Sequence, residues 1–319
     1  MKTQLLYILV SSPADVYTEQ VLVSATSARR RNPSAVMLLL TDSDTIVTPA
    51  LQSLFDRVIR QDFPADIPPM KRSRLLKTGM RSLVEGDFLF IDADTIVARP
   101  LDGIDAVEAP LAACPDLHSH FPEHPHYEAT VNMCRKLGFD ASRENWYFNS
   151  GVMLVKDTPE NHAFFKAWQD NYLAGYEAGI RPDQPSLAKT CASFDHPVAL
   201  LPHQWNCEVQ NGIRYLRDAY IVHYMVTNVG SGPQDALFLL NDRNSLLAVR
   251  ESGSITAEIE AVIENPNLGY APVTQVFAGE DRYLFRTRRY RWLRAHYRRG
   301  KASLLEFLLK VKDHLLCRK

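Results

Sequence analysis

Asp87-Phe-Leu-Phe-Ile-Asp92-Ala-Asp94-Thr-Ile-Val97 is the stretch on which the reading of this chain turns. Phe88 to Ile91 are apolar and read as a short buried strand, which delivers two carboxylates at its C-terminal end. On a continuing strand, an i, i+2 spacing places Asp92 and Asp94 on one face. Two acids on one face repel each other unless a cation sits between them, and hard divalent ions take carboxylate and phosphate oxygens. In open α/β sheets, ligands bind beyond the carboxyl ends of the strands. The stretch therefore points to a metal-bridged phosphate site.

Strand and helix signals alternate on either side of it. Leu5 to Val10 reads as a strand, Asp15 to Arg31 as an amphipathic helix, and Ala35 to Leu40 as a second buried strand ending in Thr41-Asp42-Ser43. A short helix near Thr48 to Leu54, a strand at Arg57 to Arg60 and a helix at Arg72 to Val84 follow. This alternation implies βαβ units and a mostly parallel central sheet flanked by helices. Residues 103–146 look irregular, with His118, His120, His124 and His126 set among prolines as in an exposed loop. Tyr147 to Val155 is strand-like, Glu160 to Tyr176 is a helix, and Ala219 to Tyr224 is a last strand before two polar helices reaching about Glu264.

Further polar blocks accompany the acidic pair. Trp146-Tyr-Phe-Asn149-Ser150-Gly151 sets a polar turn at the head of an apolar strand, where backbone can approach a ligand closely. Arg181-Pro-Asp183-Gln184-Pro185 offers a carboxylate and an amide at a helix start, where dipole and free N–H groups favour anions. His203-Gln-Trp-Asn206 and Ile221-Val-His223-Tyr224 come later. A histidine ending an apolar strand is usually structural, yet a neutral imidazole there would complete a site begun by two carboxylates.

The 319 residues can bury a substantial core, and 46% apolar with 23% charged residues is ordinary globular composition. No apolar run approaches the ~18 residues of a membrane span. The apolar start lacks a small-residue cleavage site and runs into Ser11-Ser12-Pro13, so it reads as a first strand and not a leader. Five cysteines without a CxxC pair suit reduced thiols in a cytoplasmic protein. The net charge of −1 hides a steep asymmetry. Residues 282–319 carry 13 Lys and Arg against Glu306 and Asp313, whereas the rest carries 23 bases against 35 acids. Such a tail meets something negative.

Taken in order, these blocks resemble nucleotide-sugar-dependent glycosyltransferases of the GT-A fold. They are similar to the family-8 enzymes that include glycogenin and bacterial lipooligosaccharide galactosyltransferases, in particular a bacterial surface-polysaccharide branch. The resemblance runs from about Leu5 to Tyr224 and rests on four ordered motifs. It implies an α/β GT-A domain over 1–265 with a basic amphipathic helical C-terminal extension over 266–319. It also implies a hexosyltransferase that uses Mn²⁺ (or Mg²⁺) and a UDP-sugar donor. Asp92, Asp94 and His223 match the metal ligands, with Asp92 shared with the ribose. Tyr17 matches an aromatic that stacks on uracil, and Ser11 and Ser12 end the strand beneath the base. Asp42 matches an acid near the nucleoside, and either Arg74 or Lys77 the basic residue that reaches the donor. Asn149, Asp183 and Gln184 match residues around the transferred sugar and its reacting carbon, and Asp116 a donor-sugar or acceptor contact. The family's Gly-x-x-Lys-Pro-Trp after the late histidine is replaced here by Met225-Val-Thr-Asn-Val-Gly230.

Such an enzyme would retain anomeric configuration and act on a saccharide or lipid-linked glycan acceptor in surface-polysaccharide synthesis. The tail, in which arginines interleave with Tyr290, Trp292 and Tyr297, then reads as a contact with an anionic membrane surface at the inner face of the plasma membrane. A terminal helix packed on the domain and nucleic-acid binding are the competing readings of it. Two rivals stand against the transferase. One is an aspartyl-nucleophile phosphatase, which expects Thr or Val where Ile96 stands; the other is a non-catalytic nucleotide- or RNA-binding protein.

Overall fold

The computed structural model describes residues 1–209, 213–224, 240, 242–266, 287, 288 and 292. The chain divides into two compact units, Met1–Val273 and Thr274–Lys319. The basic helical extension expected over 266–319 lies outside the described residues save Pro266, Thr287, Arg288 and Trp292, and so does the segment 225–230.

Strands β1 (Gln4–Leu9), β2 (Met37–Asp42), β3 (Arg57–Gln61) and β4 (Phe88–Ile91) form a parallel array, with β2 on one side of β1 and β4 on the other. The near-continuous apolar runs of β1, β2 and β4 arise because helices cover both faces. Alternation divides each strand between two cores. Leu5, Tyr7, Leu39, Leu89 and Ile91 pack with Val21, Ala25 and Ala28 of helix α1 (Tyr17–Arg31). Leu6, Leu38, Leu40, Phe88 and Phe90 pack with Leu76 and Met80 of α3 (Pro69–Leu83). Each such side chain contributes about 1.5–3 kcal/mol on burial. A short helix, α2 (Pro49–Gln52), lies between β2 and β3, capped by Thr48 Oγ1 accepting from Leu51 N at 3.3 Å.

After β4 the sheet changes direction. The acidic pair does not continue the strand: β4 stops at Ile91, residues 92–94 form a bend, and β5 (Thr95–Val97) leaves for a second sheet. Residues 103–146 are more regular than their composition suggests, holding β6 (Leu111–Pro115) and α4 (Tyr127–Lys136). Strand β7 (Phe148–Val155) lies antiparallel between β4 and β6, so Asn149, Ser150 and Gly151 sit within a buried strand and not in a turn. Helix α5 (Pro159–Glu177) adds Phe164, Phe165 and Trp168 to the second core, and α6 (Gln184–Ser193) begins directly after Asp183. With β8 (Ala199–Leu200) the large sheet runs β3-β2-β1-β4-β7-β6-β8.

The small sheet is β5-β10-β9, with β9 spanning Cys207–Glu208 and β10 Ile221–His223. It is covered by α7 (Arg243–Ser252) and α8 (Ala257–Glu264) through Ile96, Val222, Leu246, Val249, Ile259 and Val262. Asp242 caps α7, and Gly253 in the left-handed conformation (φ 67°) ends it. The chain's crossover between β2 and β4 opens a crevice at the carboxyl ends of β1 and β4, where ligands of such sheets bind. The four described cysteines, Cys114, Cys134, Cys191 and Cys207, are buried and unbridged.

Candidate active site

A cavity of about 260 Å³ occupies that crevice, walled by Val10 at the end of β1, Tyr17 at the start of α1, Arg74 and Lys77 of α3, and Asp92 and Asp94. The bend carrying the two acids is held at three points. Asp92 N donates to Gly151 O at 2.8 Å, Tyr224 N donates to Asp94 O at 2.9 Å, and Thr95 Oγ1 donates to Asp92 O at 2.9 Å. Because β10 pairs antiparallel with β5, His223 stands opposite Thr95 and beside Asp94. Ligand atoms of Asp92, Asp94 and His223 all lie within 4.8 Å of one another. The three residues expected to form a metal site thus converge, although the acids reach it from a bend.

Two basic side chains of α3 face this cluster, three residues apart on one face of the helix. Lys77 Nζ lies 3.1 Å from each oxygen of Asp92 and 3.9 Å from Asp183 Oδ2, while Arg74 Nε lies 3.2 Å from Asp183 Oδ1. Both alternatives for the basic residue therefore reach the crevice. Asp183 also accepts from Ser150 Oγ at 2.7 Å. Burial alone would raise the Asp183 pKa. Arg74, Lys77 and Ser150 outweigh burial and hold it at about 2. Its carboxylate turns toward these partners and makes no capping bond to the α6 N-terminus.

A second polar group adjoins the first. Asp116 Oδ1 accepts from Asn149 Nδ2 and Gln184 Nε2, each at 2.8 Å, and Asp116 Oδ2 faces His124 Nε2 at 2.8 Å. His124 Nδ1 accepts the His126 N–H at 3.0 Å, so Nε2 carries the proton and donates to Asp116. Gln184 spends its other Nε2 hydrogen on Phe148 O at 3.3 Å, which leaves its carbonyl oxygen as the group able to meet a ligand. Gly151 lies where the two groups touch. A methyl there would stand 2.5 Å from His223 Cε1, 2.8 Å from Asn149 Oδ1 and 2.9 Å from Asp92 Oδ2. Only glycine leaves room for all three.

Not every expected residue comes to the cavity wall. Asp42 is buried behind it, accepting from Arg72 Nη1 at 3.1 Å and Thr45 N at 3.0 Å. Thr45 Oγ1 in turn accepts from Ser11 N at 2.9 Å, so Asp42 acts on the cavity only by fixing the Ser11 loop. Ser11 Oγ donates to Asp15 Oδ1 at 2.6 Å, and Ser12 N to Asp15 Oδ2 at 2.8 Å; Asp15 lines the cavity in their place. The histidine-rich segment does not gather into one cluster. His118 turns inward against His203, His124 holds Asp116, and His120 packs on Trp146.

Two residues take parts that the sequence left unassigned, Asn206 at the end of the His203–Asn206 block and Glu208, which no block contained. Asn206, fully buried, lies between Asn149 and His223, with contacts of 2.9 Å to each. Glu208 braces the backbone after Asp116. Its Oε2 accepts from Leu117 N at 2.8 Å, and its N–H donates to His118 Nε2 at 2.9 Å. Leu117 and His118 hold left-handed backbone (φ 51° and 52°), each costing of order 1–3 kcal/mol, which those bonds help sustain. Burial, aided by nearby Asp116, pushes the Glu208 carboxyl well above its ordinary value. Only the buried partners of these two residues reveal their part, and no spacing rule encodes those partners.

This architecture is the GT-A fold of glycosyltransferases. It matches the galactosyltransferase LgtC in complex with donor and acceptor sugar analogues at 16% identity and a TM-score of 0.55, over 81% of this chain and 99% of that one. It also matches the bifunctional glycosyltransferase WbbM at 13% identity and a TM-score of 0.51, over 70% of this chain and 45% of that one. The apo form of the glycosyltransferase GlyE of Streptococcus pneumoniae TIGR4 matches at 16% identity and a TM-score of 0.50, over 87% of this chain and 67% of that one. No protein-family model and no curated protein matches the sequence.

Proposed function

We propose that this protein is a metal-dependent, retaining glycosyltransferase that moves a hexose from a UDP-sugar to a saccharide or lipid-linked glycan acceptor in surface-polysaccharide synthesis. The observation that carries the reading is the convergence of Asp92, Asp94 and His223 at the mouth of a crevice flanked by Tyr17, Arg74 and Lys77. The donor set is two carboxylates and one imidazole, suited to Mn²⁺ or Mg²⁺ with diphosphate oxygens as further ligands. It fits the ion on chemical grounds as well: His223 Nε2 and Asp94 Oδ1 stand 3.2 Å apart, a lone pair facing a carboxylate once the ring is neutral. A bound divalent ion would supply Lewis-acid stabilisation to the departing diphosphate.

The chain's own residues do the rest. Tyr17, 46% exposed on the cavity wall, offers its ring face to the base. Lys77 and Arg74 bring positive charge to the diphosphate, serving where the family's missing lysine would. Asp116 and Asn149 orient the sugar hydroxyls. Gln184 presents its carbonyl oxygen to the sugar carbon as positive charge develops there. Asp183, bound on three sides, keeps Arg74 and Lys77 in place. The acceptor hydroxyl passes its proton to the leaving phosphate oxygen, so no separate strong base is required.

No helix among the described residues is long and apolar enough to cross a membrane. The basic stretch 282–319 would bring the enzyme to the anionic inner face of the plasma membrane, where a lipid-linked acceptor lies. A thermal-shift panel of UDP-, GDP- and CDP-sugars with and without Mn²⁺ tests nucleotide, sugar and metal together. A rise in melting temperature confined to UDP-sugars with Mn²⁺ is expected, by mass action. No shift with any nucleotide sugar would overturn the reading. NMR of the first-formed linkage tests retention, and an inverted product would refute it. Vesicle co-sedimentation with and without 282–319 tests the membrane contact; equal pelleting would remove it.

A further inference from the structure

We infer that Asn206 is a positioning residue: through a one-way chain of buried hydrogen bonds it fixes His223 as the tautomer whose Nε2 lone pair faces Asp92 and Asp94. The inference rests on reading those three residues as the cation site.

The direction of the chain follows from one backbone donor. Gly151 N–H, part of strand β7, can only donate, and it does so to Asn149 Oδ1 at 2.8 Å. That fixes the Asn149 amide with its oxygen toward Gly151 and its nitrogen toward Asp116 Oδ1, 2.8 Å away. The second group on Asn149 Oδ1, at 2.9 Å, must then be the Asn206 Nδ2 donor. Asn206 accordingly turns its oxygen toward His223 Nδ1, at 2.9 Å, and that ring nitrogen must carry a hydrogen. In the neutral imidazole the remaining nitrogen, Nε2, holds the lone pair, and it is the one 3.2 Å from Asp94 Oδ1.

Asn149, Asn206 and His223 are 4%, 0% and 4% exposed, so water does not relax these choices. With the opposite tautomer, Nδ1 and Asn206 Oδ1 would be two acceptors face to face in the interior, an arrangement costly to bury. Asn206 also links the metal-side group to the sugar-side group, since the chain runs from Asp116 through Asn149 and Asn206 to His223. Partners that orient a metal-binding histidine typically change metal affinity 10–100-fold when removed.

The test measures Mn²⁺ affinity of the full chain, without nucleotide, from the EPR signal of free Mn²⁺, alongside the melting temperature. Asn206→Leu has nearly the same shape but no acceptor, and binds Mn²⁺ 10–100-fold more weakly. Asn206→Asp keeps the acceptor for His223 Nδ1–H while setting a carboxylate against Asn149 Oδ1. It lowers the melting temperature yet holds Mn²⁺ within about threefold of the parent. Should Asn206→Leu not melt cooperatively, Asn206→Ser replaces it, because a hydroxyl one atom shorter does not reach the imidazole and gives the same loss. Equal affinity in parent and Asn206→Leu (or Asn206→Ser), or losses in Asn206→Asp as large as theirs, would overturn the assignment. Asp94→Ala separates the two levels. If it leaves Mn²⁺ binding intact, the site reading itself fails; if it abolishes binding while Asn206→Leu does not weaken it, only the role of Asn206 fails.

Discussion

Replacing Gly151 by alanine tests the site at its tightest point. The added methyl carbon would stand 2.5 Å from His223 Cε1, whereas ordinary contact begins near 3.4 Å, so the imidazole or the strand must move by about 1 Å. Neither has an easy way out. His223 is held by Asn206, and Gly151 by its carbonyl bond to Asp92 N and its N–H bond to Asn149. Overpacking of this kind costs about 1–3 kcal/mol, which for a chain of this size lowers Tm by several degrees. Misplacing a reacting group by about 1 Å costs on the order of 10²-fold in rate. Gly151→Ala should therefore melt lower but cooperatively, bind Mn²⁺ at least about tenfold more weakly, and lose about 100-fold in kcat for sugar transfer. Gly179→Ala is the control. It introduces a side chain at φ +81° with nothing within 4 Å, so stability falls by about 1 kcal/mol while metal affinity stays. If Gly151→Ala matches the parent in Mn²⁺ affinity and turnover, the convergence of His223, Asn149 and Asp92 on this glycine has no functional meaning.

Other outcomes follow from the same geometry. Lys77→Met removes the ammonium 3.1 Å from both Asp92 oxygens, and should tighten Mn²⁺ alone by about tenfold while weakening the UDP-sugar; calorimetry with each ligand would read both. Tyr17→Ala should raise the UDP dissociation constant about tenfold or more, with Tyr17→Phe near the parent, since ring stacking and not the hydroxyl is at stake. Asp183 has a folded pKa of about 2 against an ordinary 3.8, so the stability it contributes is present above pH 4 and lost as pH falls toward 2. Because Arg74 is about a third exposed, that contribution is about 1–2 kcal/mol. Urea unfolding between pH 4.5 and 2 should show the parent losing this much more than Asp183→Asn, and parallel curves would contradict it.

The parts of the fold that announce themselves in sequence are those with one strong period. The apolar runs of β1, β2 and β4 are continuous because both faces are covered, and α1, α3 and α5 carry clear buried stripes. Residues 103–146 hid β6 and α4, because Pro115 ends the strand and the neighbouring prolines and histidines mimic a loop. Asp92, Asp94 and His223 were legible as a set through the order of the blocks. The bend that carries the acids was not, since i, i+2 spacing says nothing of where a strand stops. Asp42 matched a position but finds its charge partner in Arg72, a pairing across 30 residues that no local pattern signals. Asn206 was visible as the end of a polar block but its partners were not, and Glu208 was illegible for the same reason: neither residue has a distinctive spacing, and only burial makes them decisive.

Strand β7 runs against β4, and its Gly151 carbonyl grips the amide of Asp92. One rod of backbone thus carries Asn149 and Ser150 and also clamps the acidic bend, so in the proposed transferase donor recognition and ion coordination would share a single mechanical part. Under the proposed function, variation in sugar preference would have to enter from outside that rod, because a change at 149–151 would disturb the ion's seat as well. Mutational libraries aimed at a new donor should leave residues 149–151 as they are.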